Sequence, residues 1–245
     1  MDYDEERAEA YDRRHGERFA EAETTAELLA GLVGGRAGAR VLELGIGTGR
    51  LALPLAARGL EVNGIDSSAP MVERLRAKPG GSDLPVVIGD FADVGALVEG
   101  QFDLVLLPFN ALFELLAQDE QCRCLAGAAV HLAPGGALVV EALSPELTRL
   151  EQSLTVTSLV ADEVVLQATS HDPLTQVVRG HDVVLTETSP VRLRPWAIRY
   201  ATVPEIDLMA RLAGLRLVER WGGWRREPFT AESSRHVSVY GRLPG

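Results

Sequence analysis

The 245-residue chain is 46% hydrophobic and 24% charged, the balance of a folded globular protein and not of a disordered or fibrous one. Its 35 acidic and 24 basic residues leave a formal charge of -11, so the mean field repels a phosphate backbone and argues against a nucleic-acid partner. Apolar runs such as Leu104–Phe109 fall far short of the roughly 20 residues that span a bilayer, and the N-terminus is too rich in Asp and Glu for a signal peptide, so a cytoplasmic protein without a membrane partner is expected.

Residues 1–35 carry an acidic, Arg-containing helical pattern in which Ala and Leu recur from Ala20 to Leu32 until Gly34-Gly35 stops it. From Arg40 onward, short apolar runs alternate with helical stretches. Strands are expected at Val41–Leu44, Glu61–Ile65, Val86–Ile88, Leu104–Leu107 and Ala137–Ala142, with helices running to Ala57, to Ala77 and from Asp119 to Leu132. The alternation predicts parallel βαβ units with right-handed crossovers, and Gly59, Pro79-Gly80-Gly81 and Pro134-Gly135-Gly136 supply the helix stops. Cys122 and Cys124, two apart on a helix, diverge by roughly 200° and read as packing residues.

After Pro145 the pattern changes. Residues 154–202 are rich in Val, Thr and Leu, with turn signals at Ala161-Asp162, His171-Asp172-Pro173 and Ser189-Pro190, which predicts a small antiparallel sheet inserted in the α/β unit. The α/β pattern returns with Thr202 and Glu205 spaced as a capping box, a helix through Leu212, and strands at Leu215–Glu219 and His236–Tyr240.

The strongest chemical signal is Val41-Leu42-Glu43-Leu44-Gly45-Ile46-Gly47-Thr48-Gly49-Arg50, a buried strand running into a glycine loop and then a helix. Glycines there let the backbone turn tightly and touch a ligand. A dinucleotide loop needs its third glycine where Arg50 stands, which argues against a nicotinamide cofactor. Asp66, at the end of the second strand, suits two ribose hydroxyls.

With Gly64-Ile65-Asp66-Ser67-Ser68 and Met71, Gly89-Asp90-Phe91, Phe102-Asp103-Leu104-Val105 and Leu132-Ala133-Pro134-Gly135-Gly136 following that loop in order, the chain resembles the class I S-adenosylmethionine-dependent methyltransferases of the small-molecule, bacterial natural-product branch. The resemblance implies a doubly wound, Rossmann-like α/β sheet of seven strands, the last antiparallel, with the cofactor across the carboxyl ends. The expected division is N-terminal lid helices over 1–35, a cofactor-binding core over 36–150 and 203–245, and an inserted antiparallel sheet over 151–202 on the acceptor side.

Carried over residue by residue, the resemblance puts Gly45, Gly47 and Gly49 beside the methionine part of the cofactor, with Glu43 holding the glycine loop or the N-terminal segment. Asp66 and Ser67 would meet the ribose, Asp90 the adenine amino group, and Met71 and Phe91 the adenine faces. Pro108 and Asn110, just past the fourth strand, would lie near the sulfonium. The stretch Tyr11–Ala20 looks like the lid helix, with Tyr11 near the sulfonium and Arg18-Phe19 at the methionine carboxylate.

Methyl transfer is an in-line displacement, so alignment and exclusion of water supply most of the barrier reduction, and a base helps only where the acceptor must lose a proton. His181 is the candidate base, because strand alternation puts it on one face with Arg179, Val177 and Val183. Phe113, Trp196, Tyr200 and Trp224 are candidate acceptor contacts, and Trp221-Gly222-Gly223-Trp224 is expected at the pocket mouth. No metal-ligand spacing is visible.

The expected reaction is methyl transfer from S-adenosylmethionine, leaving S-adenosylhomocysteine, to N, O, S or C of a small acceptor such as an aminosugar, polyketide or peptide product. A cyclase or isomerase on the same fold and a non-enzymatic binding module stay open, as does a homodimer. Asp66→Ala should weaken cofactor binding by about 1.5–3 kcal/mol, read by isothermal titration; an unchanged dissociation constant would move the ribose elsewhere.

Overall fold

The computed structural model describes residues 5–14, 16, 20–145 and 153–243. Helices α1 (Glu5–Arg14) and α2 (Ala22–Leu32) precede β1 (Arg40–Leu44), α3 (Ala52–Ala57), β2 (Glu61–Asp66), α4 (Ala69–Arg76), β3 (Val86–Ile88), α5 (Val94–Leu97), β4 (Phe102–Leu107), α6 (Gln118–Val130) and β5 (Leu132–Leu143). Four strands follow, β6 (Ser153–Leu159), β7 (Glu163–Asp172), β8 (Val177–Thr186) and β9 (Arg192–Arg199), before α7 (Val203–Leu212), β10 (Leu215–Trp221) and β11 (Arg235–Arg242). Among the described residues, no helix is long and apolar enough to cross a membrane.

The main sheet has seven strands in the order β10-β11-β5-β4-β1-β2-β3, parallel except that β11 runs against both β5 and β10. Its central strands are apolar on both faces because helices cover both. In β4, Leu104 and Leu106 join the core beneath α2 and α3, while Val105 and Leu107 join the core beneath α6 and α7. The Pro134-Gly135-Gly136 turn, expected between a helix and a strand, instead lies inside β5. Helix α6 ends at Val130, and His131 Nδ1 meets the Gly100 carbonyl at 2.8 Å. The strand then pairs Phe102 with Leu132 and skips to Leu104 with Ala137, so the turn is absorbed as a bulge.

Strands β6 to β9 form a separate antiparallel meander. One face is turned inward, with Val178 and Val184 buried and Gly180 directly beneath Trp196, where a Cβ would stand 2.3 Å from the indole. Leu154, Val156 and Leu193 lie exposed on the other face.

Arg199, at the end of β9, ties this meander to the main sheet. It is buried and donates to Gln121 Oε1 at 2.6 Å, Gln176 Oε1 at 2.8 Å and Glu205 Oε1 at 2.6 Å. Gln121 in turn donates to the carbonyls of Leu112, Leu115 and Arg199. Arg199→Ala leaves buried acceptors without their donor and should lower unfolding free energy by about 3–5 kcal/mol in urea titrations. Against the upward push of burial, hydrogen bonds from Arg199, Gln176 and Gln118 hold the Glu205 carboxyl below its ordinary value. A depressed folded-state pKa gives stability that is complete above the ordinary value of 4.5 and is lost as pH falls below it, so Glu205→Gln should flatten the acid limb of the stability curve.

Candidate active site

A cavity of about 330 Å³ opens at the carboxyl ends of β1, β2 and β4. After β1 the chain passes through Gly45, Gly47 and Gly49, all with positive φ of 53° to 82°, a region where side chains are strained. At Gly49 a Cβ would stand 2.3 Å from Leu75 Cδ1, so this glycine also lets the loop pack on α4. Asp66, closing β2, accepts the Gly47 N–H at 2.7 Å and the Ser68 N–H at 2.8 Å. A carboxylate has about four acceptor sites, so two bonds leave capacity toward the cavity. Burial raises the Asp66 pKa, and the two amides oppose that shift. Ser68 caps α4 through Met71 N, and Ser67, Met71 and Phe91 line the same end of the cavity.

Past β4 the wall is formed by Pro108, Phe109 and Asn110. Phe109 and Asn110 are left-handed, with φ of 47° and 63°, and such residues cost of order 1–3 kcal/mol each unless their surroundings hold them. Glu141 of β5 supplies the hold. Its Oε2 accepts the Phe109 N–H at 2.8 Å and its carbonyl accepts the Asn110 N–H at 3.0 Å, while Asn110 Oδ1 accepts the Leu143 N–H at 2.6 Å. Glu141 is 2% exposed and forms ion pairs with Arg50 at 3.9 Å and Arg235 at 3.6 Å. Arg235 reaches on to Glu21, just before α2. Sequence reasoning missed Glu141, although a lone acid inside an apolar strand is the same signal that marks Glu43.

Glu43 lines the cavity with its side chain fully enclosed, and its Oε2 has no hydrogen-bond partner among the described residues. Burial pushes its pKa up to about 8, with Arg50 pulling the other way. Tyr11 enters from α1; burial, then the Glu114 charge, raise its pKa, so the phenol stays protonated. Helix α1 is docked by its next residue. Asp12 accepts from Thr48 Oγ1 at 2.5 Å and pairs with Lys78 at 2.5 Å, and Lys78 also donates to the Thr48 carbonyl at 2.8 Å.

The facing wall comes from Glu114 and from the inner face of the meander, through Gln167, Asp182, Trp196 and Ile198. Asp182 Oδ1 accepts from Trp196 Nε1 at 3.2 Å and from Gln167 Nε2 at 3.3 Å. Several expected contacts are not part of the cavity lining. His181 and Arg179 are exposed on the outer face of β8, because the inward register is set by Gly180 under Trp196 and carries Asp182 with it. Phe113 and Tyr200 are buried in the core, with Tyr200 bonded to His171 Nε2 at 3.1 Å. Trp224 and Trp221 pack into the opposite core, not at the mouth. Asp90 is exposed and caps the short turn of 3₁₀ helix after β3 by accepting the Ala92 N–H at 2.8 Å. Arg18 and Phe19 lie outside the described residues.

Similarity to known proteins identifies the family. Residues 41–136 match a family described as a methyltransferase domain. The cypemycin N-terminal methyltransferase of a Streptomyces species is 34% identical over 209 residues, 84% of each chain. The chain belongs to the class I S-adenosylmethionine-dependent methyltransferases. The methyltransferase is also similar to the solved CcbJ methyltransferase of Streptomyces caelestis, with 43% identity, TM-score 0.85 and 91% and 90% of the two chains covered. It shares its fold with CalS10 of Micromonospora echinaspora, at 22% identity and TM-score 0.74 over 96% of both chains. The chain is a methyltransferase of the natural-product type.

His181→Ala should leave melting temperature and turnover of the enzyme unchanged, since the imidazole is on the outer face. Asn110→Ala removes both the side chain best suited to a left-handed position and the bond to Leu143, and should cost about 1–3 kcal/mol by thermal melting while lowering turnover.

Proposed function

We propose that the enzyme methylates an amine nitrogen of a small natural-product acceptor. The observation that carries this reading is that two carboxylates, Glu114 and Asp182, line the cavity together with Tyr11 and Trp196. Carboxylates beside an aromatic face attract an ammonium group, through charge and through the ring quadrupole, and disfavour an acidic acceptor. The name of the 34%-identical relative, which specifies an N-terminal acceptor, supports the same choice.

The residues present suit the cofactor. Left-handed glycines bring bare backbone to the cavity, Asp66 keeps acceptor capacity for ribose hydroxyls, Met71 and Phe91 offer apolar faces for adenine, and Glu43 has an enclosed oxygen that an ammonium could satisfy. When bound, S-adenosylmethionine would supply an electrophilic methyl carbon on a sulfonium, with a neutral thioether as the leaving group that keeps the C–S electron pair. An amine reaches the site mostly as ammonium, whose lone pair is tied up in an N–H bond. Glu114, at the end of the 3₁₀ turn that follows the strained Phe109-Asn110 corner, binds that ammonium and takes one proton, which frees the lone pair. The high pKa of Tyr11 keeps its hydroxyl a hydrogen-bond donor or acceptor and not a base.

Matched small acceptors bearing an amine, a hydroxyl or a thiol should separate by mass spectrometry, with a gain of one methyl on the amine alone. Glu114→Gln should lower kcat at neutral pH by roughly 10²–10³-fold with cofactor affinity unchanged. Methylation of the hydroxyl compound, or full activity of the variant, would overturn the reading.

A further inference from the structure

Arg50 stands where a nicotinamide-binding loop would carry its last glycine, and the structure gives the substitution a physical meaning. Its side chain is 10% exposed and lines the cavity. Among the described residues its guanidinium makes no hydrogen bond. Its nearest anion is Glu141 at 3.9 Å, beyond hydrogen-bond range, and its other neighbour is the Phe109 ring at 6.0 Å. A guanidinium carries five N–H donors in a rigid fork, and taking it out of water without satisfying them is costly. The two carboxyls of the surrounding wall do not satisfy these donors: Glu141 stays beyond hydrogen-bond range while it accepts from Phe109 and pairs with Arg235, and Glu43 acts on the guanidinium through charge alone.

We infer that Arg50 is the residue that binds the α-carboxylate of S-adenosylmethionine. The inference rests on the cofactor reading of the cavity and is independent of which acceptor is methylated. The carboxylate is the one anionic group of that cofactor, and its two oxygens match the guanidinium fork. Position favours it as well. Arg50 follows directly on the glycine loop and approaches Glu141, which braces the Phe109-Asn110 corner, so it stands between the glycine loop and the segment past β4. Arg50 and Glu43 line the same cavity and feel each other's charge. Together they set a cation and a carboxyl group side by side, the complement of an α-amino acid zwitterion. Glu141 then acts as a positioning residue, holding the guanidinium by charge without occupying its donors.

Isothermal titration with S-adenosylhomocysteine and with its decarboxylated analogue, S-adenosyl-3-thiopropylamine, tests this without any acceptor. The two ligands differ only in the carboxylate. The native enzyme should bind the first about 10- to 100-fold more tightly. Arg50→Met should lose most of that preference, weakening the first ligand by that factor while leaving the second within about twofold. Arg50→Lys, which keeps the charge toward Glu141 but not the fork, should fall between them and serves if Arg50→Met does not fold. Equal weakening of both ligands would mean that Arg50 only shapes the glycine loop, and unchanged binding of both would mean that it does not touch the cofactor; either overturns the proposal. Failure of the native enzyme to bind either ligand would overturn the cofactor reading itself.

Discussion

The arrangement of the site depends on one buried carboxylate holding a strained corner. Phe109 and Asn110 leave β4 in left-handed conformations that side chains resist, and they stay there because Glu141 accepts both of their amides, one through its side chain and one through its carbonyl. A charge enclosed to that degree must be compensated, and Arg50 approaches one of its oxygens and Arg235 the other. The first comes from the glycine loop and the second from the start of β11, which also grips the N-terminal segment through Glu21. Corner, glycine loop and lid are therefore coupled through one side chain, and a change in any of them is felt by the others.

The cavity is more acidic than its size requires. Glu43, Asp66, Glu114 and Asp182 line it, against Arg50 alone among the lining cations of the described residues. Such a field suits a ligand pair that enters with net positive charge, a sulfonium with an ammonium, and suits it less once methyl transfer has removed the sulfonium charge. Glu43, with its pKa pushed up to about 8 by burial, is the member of this set whose charge is adjustable near neutrality, so it can respond to a cation placed beside it.

The lid and the meander are fastened differently. Helix α1 is held over the glycine loop by Asp12, Thr48 and Lys78, polar contacts near the surface that are individually weak and readily exchanged for water. The meander is fastened by Arg199, whose partners Gln121, Gln176 and Glu205 are largely removed from solvent. A lid that must admit a cofactor calls for the first kind of contact; a wall that must keep its shape calls for the second.

Much of the fold was legible in the sequence because its signals are local. The alternation of short apolar runs and helical stretches and the glycine loop both depend on neighbours within a few residues, and the family motifs are of the same kind. Asp66, Ser67, Met71, Phe91 and Pro108, named from the motifs, line the cavity. Residues whose role is set by contacts across the chain were not legible. Strand alternation shows that His181 and Asp182 point to opposite faces, but not which face is inward; Gly180 beneath Trp196 decides that, through a contact between strands. Glu141 and Arg50 each looked ordinary alone, an acid in a strand and an arginine opening a helix, and acquire meaning from their approach across the sheet. By itself the sequence determined the order of elements, the loop and the acid that follows it, since backbone sterics and hydrophobic period act locally. Only the tertiary structure decided the acceptor wall and the strained corner's support, because a side chain's charge matters through what burial places beside it.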